Sequence, residues 1–298
     1  MNYRKFAAID IGSNAVRLLI ANVLEYDNGK VEIKKNSLVR VPIRLGADVF
    51  TKGHVGIRLA GNLIDAMQAF TLLMRVHKVE EYRAFATSAV RDAENGQELV
   101  ERVLEKTDVK IEVIDGDLEA EIIALNNLNE HLEEDKQYLF IDVGGGSTEY
   151  TLMVNGKVEA RKSFKFGAVR FINGLVTEEM FREEVKPWIK EITKGLSGII
   201  TIGSGGNINT LYKMADLHRN EPMSYDYIKE QYDLLKELSY DERMEKFEMN
   251  PDRADVILPA TYIYAQSMKW AESTEMKVPR IGLADGTILY ICKEKGIL

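Results

Sequence analysis

Three consecutive glycines, Gly144, Gly145 and Gly146, stand between Asp142 and the polar trio Ser147, Thr148 and Glu149 in the stretch LFIDVGGGSTEY. Glycine costs conformational entropy on ordering. A tight hairpin with a bulge needs one or two of them, so the third asks for another use. A bend free of Cβ atoms can turn successive backbone N–H groups toward one anion and form a nest for phosphate, with the Ser147 and Thr148 hydroxyls as further donors. Gly12, Ser13 and Asn14 in AIDIGSNAVRLLI form a matching, less glycine-rich bend. Asp10 and Asp142 each end a strand, where a carboxylate either reaches Mg2+ or its waters or caps its own turn. Glu149 follows on a strand whose alternation would equally leave it facing solvent.

Further along, Glu119 and Glu121 in VIDGDLEAEII fall in the first turn of an expected helix, where acids meet the positive end of the macrodipole without any further role. Glu119 does chemistry only if it faces the anion. Arg91 in ATSAVRDAENG is either a phosphate fork or a surface ion-pair partner of Asp92 or Glu94. The run IITIGSGGNINTL reads as strand, glycine loop and helix, which puts Gly205, Gly206 and Asn207 where a helix N-terminus receives phosphate. It is neither a P-loop nor G-x-G-x-x-G, since Ile208 stands where the last glycine belongs.

The elements that carry these residues repeat. FAAIDIGSNAVRLLIANVLEYDNGKVEIKK and LFIDVGGGSTEYTLMVNGKVEARK each read as an apolar strand, an Asp, a glycine bend, a second strand, an Asn-Gly turn and a third strand beginning Lys-Val-Glu. Asn28-Gly29 and Asn155-Gly156 signal hairpins, because a type I′ turn needs positive φ at both central residues. Helical periodicity marks RLAGNLIDAMQAFTLLMRV, ENGQELVERVLEKT, TEEMFREEVKPWIKEI and NINTLYKMADL. A helix over DLEAEIIALNNLNEHL takes Asp117 as its expected N-cap. YRAFATSAV reads as a strand ending in a polar loop, VKIEVIDG and SGIITI as strands, and DRADVILPATYIYAQSMKW as one buried helix. The expectation is α/β in each half, with domains over 1–125 and 126–284 and the last helix, about 285–298, joined to the first.

Composition bounds the function. A chain of 298 residues suits two domains. A net charge of −8 argues against broad binding of nucleic acid, while leaving room for a phosphorylated ligand held by local amides, a few Arg or Lys and a cation. The single cysteine, Cys292, cannot form an internal disulfide, and His54, His77, His131 and His218 lack metal-ligand spacing. The N-terminal apolar run is interrupted by Asp10 and Arg17, so it is neither a signal peptide nor a membrane span. A soluble cytoplasmic protein with no membrane partner is expected.

In order along the chain, AIDIGSNAVRLLI, ATSAVRDAENG, VIDGDLEAEII, FIDVGGGSTEY, FGAVRF, GSGGNINTL, PDRADVILPA and IGLADGTI resemble the exopolyphosphatase and guanosine pentaphosphate phosphohydrolase (Ppx/GppA) family. The resemblance implies two ribonuclease-H-like domains of the actin-like ATPase (ASKHA) type with an interdomain cleft. It also implies Mg2+-dependent release of terminal phosphate from polyphosphate or guanosine pentaphosphate, guanosine tetraphosphate as a related ligand, and a homodimer. By motif position, Glu119 and Glu149 orient and deprotonate water, and Asp10 and Asp142 hold the metal. Arg17, Arg91, Gly12, Ser13, Asn14, the loop from Gly144 to Thr148, and Gly205, Gly206 and Asn207 bind phosphates. Leu118, Glu121, Ala15 and the pair Ala284-Asp285 depart from the family pattern, which leaves room for a short-chain or nucleotide substrate. An actin-like kinase or ATPase, and a guanosine tetraphosphate or pentaphosphate sensor without turnover, are the competing readings.

Overall fold

The computed structural model describes residues 1–126, 132–133, 135–218 and 221–298. It divides into two compact units, residues 1–129 with 282–298, and residues 130–281. Both are mixed α/β.

The first unit begins with β1 (Asn2–Ile11), β2 (Val16–Glu25) and β3 (Val31–Val41), followed by α1 (Leu45–Lys52), α2 (Ile57–His77) and β4 (Glu81–Ala86). It continues through α3 (Ser88–Asp92), α4 (Gly96–Thr107), β5 (Ile111–Val113) and α5 (Gly116–Leu125). The sheet order is β3-β2-β1-β4-β5, with β1, β4 and β5 parallel and β2 antiparallel to both neighbours.

The second unit holds β6 (Gln137–Val143), β7 (Thr148–Val154) and β8 (Lys157–Phe164), then α6 (Ala168–Ile172), α7 (Glu178–Ile192), β9 (Ile200–Ser204) and α8 (Gly206–Met214). β10 (Met223–Ser224), α9 (Tyr225–Glu237), α10 (Tyr240–Phe247), α11 (Pro251–Ala254), α12 (Ile257–Trp270) and β11 (Glu275–Lys277) complete it. Its sheet runs β10-β11-β9-β6-β7-β8. Without the edge strand β10, this is the order of the first sheet again, the ribonuclease-H-like arrangement twice over. The chain then returns to the first unit as α13 (Leu283–Glu294).

Each core follows from the apolar spacing. On α2, Leu59, Leu63, Met67, Phe70 and Met74 recur at three- and four-residue steps and are buried. α13 lays Ala284, Ile288, Ile291 and Cys292 against Phe6, Ala8, Leu19, Ala21 and Val23 of the first sheet. In the second unit, Tyr150 packs edge-on against Phe164 at 5.8 Å between ring centres, and Trp188 of α7 lies tilted to the first and edge-on to the second.

Several local expectations change. Asn155 and Gly156 both have positive φ, 50° and 73°, as a type I′ turn requires. At Asn28-Gly29 only Gly29 does, at 80°. There the Tyr26 N–H meets the Lys30 carbonyl and the Gly29 N–H meets the Tyr26 carbonyl, each at 2.9 Å, which makes a three-residue hairpin loop. The N-cap of α5 is Asp115, whose carboxylate accepts from the Leu118 N–H at 2.8 Å, rather than Asp117 in the first turn. α5 is described to Leu125, and residues 127–131 of the longer expected helix lie outside the described residues. The polar loop after β4 is the short helix α3, and only Ile111–Val113 of VKIEVIDG pairs as strand. The expected helix after Pro251 is two, α11 and α12. Pro259 lacks the N–H that would reach back to the Asp255 carbonyl, and its ring would crowd that carbonyl, so a new helix starts with the proline in its first turn.

α13 and α5 approach so closely that a Cβ on Gly286 would lie 2.0 Å from the Ile122 carbonyl oxygen. Gly61 of α2, by contrast, has open space where a side chain would stand. Gly61→Ala is therefore expected to raise stability by about 0.5–1 kcal/mol. Gly286→Ala should lower it by about 1–3 kcal/mol, since the overlapping atom is backbone. Urea midpoints of the two variants measured together check both.

Candidate active site

In both units the chemistry-bearing residues collect at the carboxyl ends of parallel strands, the usual ligand-binding edge of an open α/β sheet. In the first unit, Asp10 ends β1, Ser88 and Arg91 follow β4, and Glu119 follows β5. Pairing of Ile11 with Ala86 and of Ala86 with Val113 brings those ends side by side. Arg91 Nη1 donates to the Ile114 carbonyl at 2.7 Å, which anchors its guanidinium beside the segment leading to Glu119. Ser13 and Ser88 share a buried hydrogen bond of 2.8 Å between their hydroxyls.

The two hairpin bends have the same construction. The Gly12 N–H meets the Ala15 carbonyl at 3.1 Å, and the Gly144 N–H meets the Ser147 carbonyl at 2.9 Å. A helix start docks on each. In the second unit the Gly144 carbonyl accepts from the Ala168 N–H at 3.0 Å, and the Gly145 carbonyl from the Val169 N–H at 2.8 Å. The Gly146 carbonyl accepts from Arg170 Nε at 2.8 Å. A trans peptide sends its N–H opposite to its carbonyl, and no described peptide is cis. With three successive carbonyls turned to α6, the N–H groups of Gly145, Gly146 and Ser147 point to the other side, the pattern an anion nest requires. In the first unit the Ser13 carbonyl accepts from the Gly46 N–H and the Asn14 carbonyl from the Arg44 N–H, so the Asn14 and Ala15 N–H groups are turned likewise.

Close backbone contacts account for Gly144 and Gly167. None of Gly144, Gly145 and Gly146 has positive φ. A Cβ on Gly144 would sit 3.1 Å from the Ser147 carbonyl, and one on Gly167, just before α6, would sit 2.3 Å from the Gly145 backbone. Backbone meets backbone there, which bare peptide alone permits. Gly205 does need its freedom: its φ is 97°, and a Cβ would lie 3.0 Å from Asp142 Oδ1. Asp142 thus reaches across to the glycine loop that opens α8.

Beyond the bends, the units differ. Asp10 faces Arg17 across the first hairpin, and Arg17 Nη1 binds Asp10 Oδ2 at 2.5 Å. At the matching place in the second hairpin, Asp142 faces Glu149. Glu149 is 4% exposed, so the solvent-facing alternative for it is excluded. A buried carboxylate beside a second carboxylate is costly, and such arrangements mark sites of function. Among the described residues no group of three or more His, Cys, Asp or Glu forms a metal cluster. Mg2+ is commonly held by one or two carboxylates together with substrate phosphates, and the donor set of Asp142 beside Glu149 suits that mode.

The Thr148 side chain has a partner of its own. Its hydroxyl donates to the Phe166 carbonyl at 2.5 Å and is fully buried, so its one proton ties β7 to the chain before α6. Asn207 Oδ1 accepts from Arg253 Nη1, a residue within PDRADVILPA to which sequence reasoning gave no role. Tyr264 was missed as well. Its hydroxyl donates to the Ser204 carbonyl at 2.5 Å and accepts from the Val143 N–H at 3.4 Å, tying the end of β6 to the end of β9. Burial, reinforced by the Asp142 charge, holds this phenol well above its ordinary pKa and so neutral. Aromatic residues at helical spacing in α12 look like plain core, and nothing local marks one as a strap.

Residues 38–295 match the Ppx/GppA phosphatase family. The chain belongs to that family. It is 28% identical to the Aquifex aeolicus Ppx/GppA family member of known structure, with a TM-score of 0.79 and 99% of each chain covered. It is 29% identical to the bifunctional 3-dehydroquinate synthase/phosphatase of Fusobacterium nucleatum, over 89% of this chain and 43% of that protein. It is 31% identical to exopolyphosphatase 1 of Mycobacterium tuberculosis, over 56% of this chain and 47% of that one. The chain thus spans somewhat under half the length of these two curated relatives. Of the residues that depart from the Ppx/GppA pattern, Leu118 and Ala284 serve packing. Leu118 joins Phe85, Ile114, Ile122 and Leu283, and Ala284 joins the α13 core. Asp285 accepts from the Gly282 N–H at 3.1 Å and pairs with Lys35 at 2.6 Å. Glu121 is exposed, and Ala15 is buried at the end of its bend. Among the described residues no helix is long and apolar enough to cross a membrane.

Removing the Tyr264 hydroxyl leaves a buried carbonyl and a buried N–H short of a partner. Tyr264→Phe should therefore cost about 1–3 kcal/mol of stability, read from guanidinium denaturation; a change below the error of that measurement overturns the strap.

Proposed function

We propose that this protein releases terminal phosphate from inorganic polyphosphate by attack of water. The observation that carries the reading is the set of peptide N–H groups of Gly145, Gly146 and Ser147, turned one way by the docking of the Gly144, Gly145 and Gly146 carbonyls on α6, beside Asp142 and the buried acid Glu149. The names of the exopolyphosphatase relatives support the substrate class. Guanosine pentaphosphate carries the same terminal phosphoanhydride and is the second substrate of the proposal. The reading includes a cytoplasmic homodimer that takes no nucleic acid or membrane partner.

In this mechanism the amides of the glycine bend match the charge spread over the phosphoryl oxygens as the bond to the bridging oxygen breaks. In the first unit Gly12, Ser13 and Asn14, with Arg17 and Arg91, take phosphates, and in the second Gly205, Gly206 and Asn207 do so at the helix N-terminus of α8. Glu149 orients the water and accepts its proton as the new P–O bond forms, and Glu119 has the matching water-orienting role in the first unit. The products are orthophosphate and a chain one phosphate shorter. In the second unit Asp142 would hold Mg2+, which would supply positive charge to the phosphate oxygens; Asp10 has the matching place in the first unit, where Arg17 pairs with it.

Phosphate release from polyphosphate and from guanosine pentaphosphate, followed with and without Mg2+, tests the reading. Glu149→Gln and Glu119→Gln are each expected to lower kcat by about 10²–10⁴-fold while the protein stays folded. Binding of either compound with no release, or consumption of ATP only when an acceptor is added, overturns it.

A further inference from the structure

Across the second hairpin sheet, Asp142, Glu149 and Ser163 form one row, since Asp142 pairs with Glu149 and Glu149 pairs with Ser163. Directly opposed residues project from the same face of a sheet, with Cβ atoms about 4.5–5.5 Å apart. Glu149 therefore has a neighbour on each flank, a carboxylate on β6 and a hydroxyl on β8. Ser163 Oγ lies 2.8 Å from Glu149 Oε1. The serine hydroxyl is the donor.

The corresponding row of the first unit is Asp10, Arg17 and Arg40. There the central residue is a cation and is drawn to the aspartate. In the second unit the central residue is an acid like the aspartate, and one of its carboxylate oxygens accepts a hydrogen bond on the other flank. β8 is the last strand of its sheet, but it is pinned beside this bond. Phe164, the next residue and therefore on the opposite face, packs against Tyr150 and Trp188 at 5.8 and 5.4 Å between ring centres. The donor is thus held in place by the core behind it.

We propose that Ser163 is a positioning residue for Glu149. It draws one carboxylate oxygen toward β8, away from Asp142, and so keeps the two acids in separate roles. Asp142 serves the charged phosphate end, and Glu149 is presented to water. This rests on the reading of Glu149 as a water-orienting group under the function proposed above. Nothing in the family pattern used to recognise the chain assigns a task to this serine, which stands in the run KSFKFGAVRF between two motifs.

The full-length protein with Ser163→Ala, Ser163→Thr and Ser163→Val, beside Glu149→Gln, tests it in initial-rate phosphate release from polyphosphate of defined length. Ser163→Ala should lower kcat about tenfold or more with KM within about twofold and an unchanged melting temperature. Thr and Val have nearly equal bulk and differ in the hydroxyl, so kcat of the Thr variant should exceed that of the Val variant by about tenfold. That ratio stays readable even if branching at Cβ disturbs the strand. Equal kcat for Thr and Val, with Glu149→Gln inactive, overturns the role of Ser163 and leaves the hydrolase reading standing. Wild-type kcat in Glu149→Gln overturns the reading of Glu149 and this inference with it.

Discussion

A planar trans peptide cannot turn its carbonyl and its N–H to the same side, and both hairpin bends depend on that constraint. Once a helix start takes the carbonyls of the bend, the amides have one direction left. Gly144, Gly145 and Gly146 offer their carbonyls to Ala168, Val169 and Arg170. The approach is so close that Gly167 must also lack a side chain. The common direction of these amides in the second unit is thus a by-product of how α6 is seated, which is why two separated motifs, VGGGSTE and FGAVRF, behave as one.

The repeated hairpin then shows how one fold serves two ends. Both copies place an aspartate at the end of the first strand and a charged residue opposite it. In the first copy the charges are opposite and the pair neutralises itself, as Asp10 and Arg17 do at 2.5 Å. In the second they are alike, and the pair of Asp142 and Glu149 is an arrangement that folding alone disfavours. The surrounding groups answer this locally. Ser163 holds one carboxylate oxygen of Glu149, and Gly205 leaves room for the carboxylate of Asp142. The aromatic core of Tyr150, Phe164 and Trp188 keeps the strands behind them in register.

Elements far along the chain carry much of the positioning. α13 rejoins the first unit and meets α5 at Gly286, against the Ile122 carbonyl. α5 begins at the Asp115 cap and carries Glu119 in its first turn. The placement of that acid therefore depends on a residue more than a hundred positions away. In the second unit, Tyr264 on α12 bridges the ends of β6 and β9 in the same manner, through a neutral phenol kept protonated by burial.

The duplicated strand order, the two Asp-ended hairpins and the glycine-containing bends were legible in the residues, because apolar alternation, paired Asn-Gly turns and clustered glycines act over a few positions. The family was legible for the same reason: its motifs are short and ordered. Those local patterns could not say that the Thr148 proton goes to Phe166, or that Glu149 is buried beside Ser163. They could not say that Asn28-Gly29 closes a longer loop than Asn155-Gly156, or that Tyr264 is a strap. Hydrogen-bond partners and burial depend on which segments meet after the chain has folded back on itself. A sequence determines what each residue can donate, accept or pack; only the tertiary structure decides what stands opposite it.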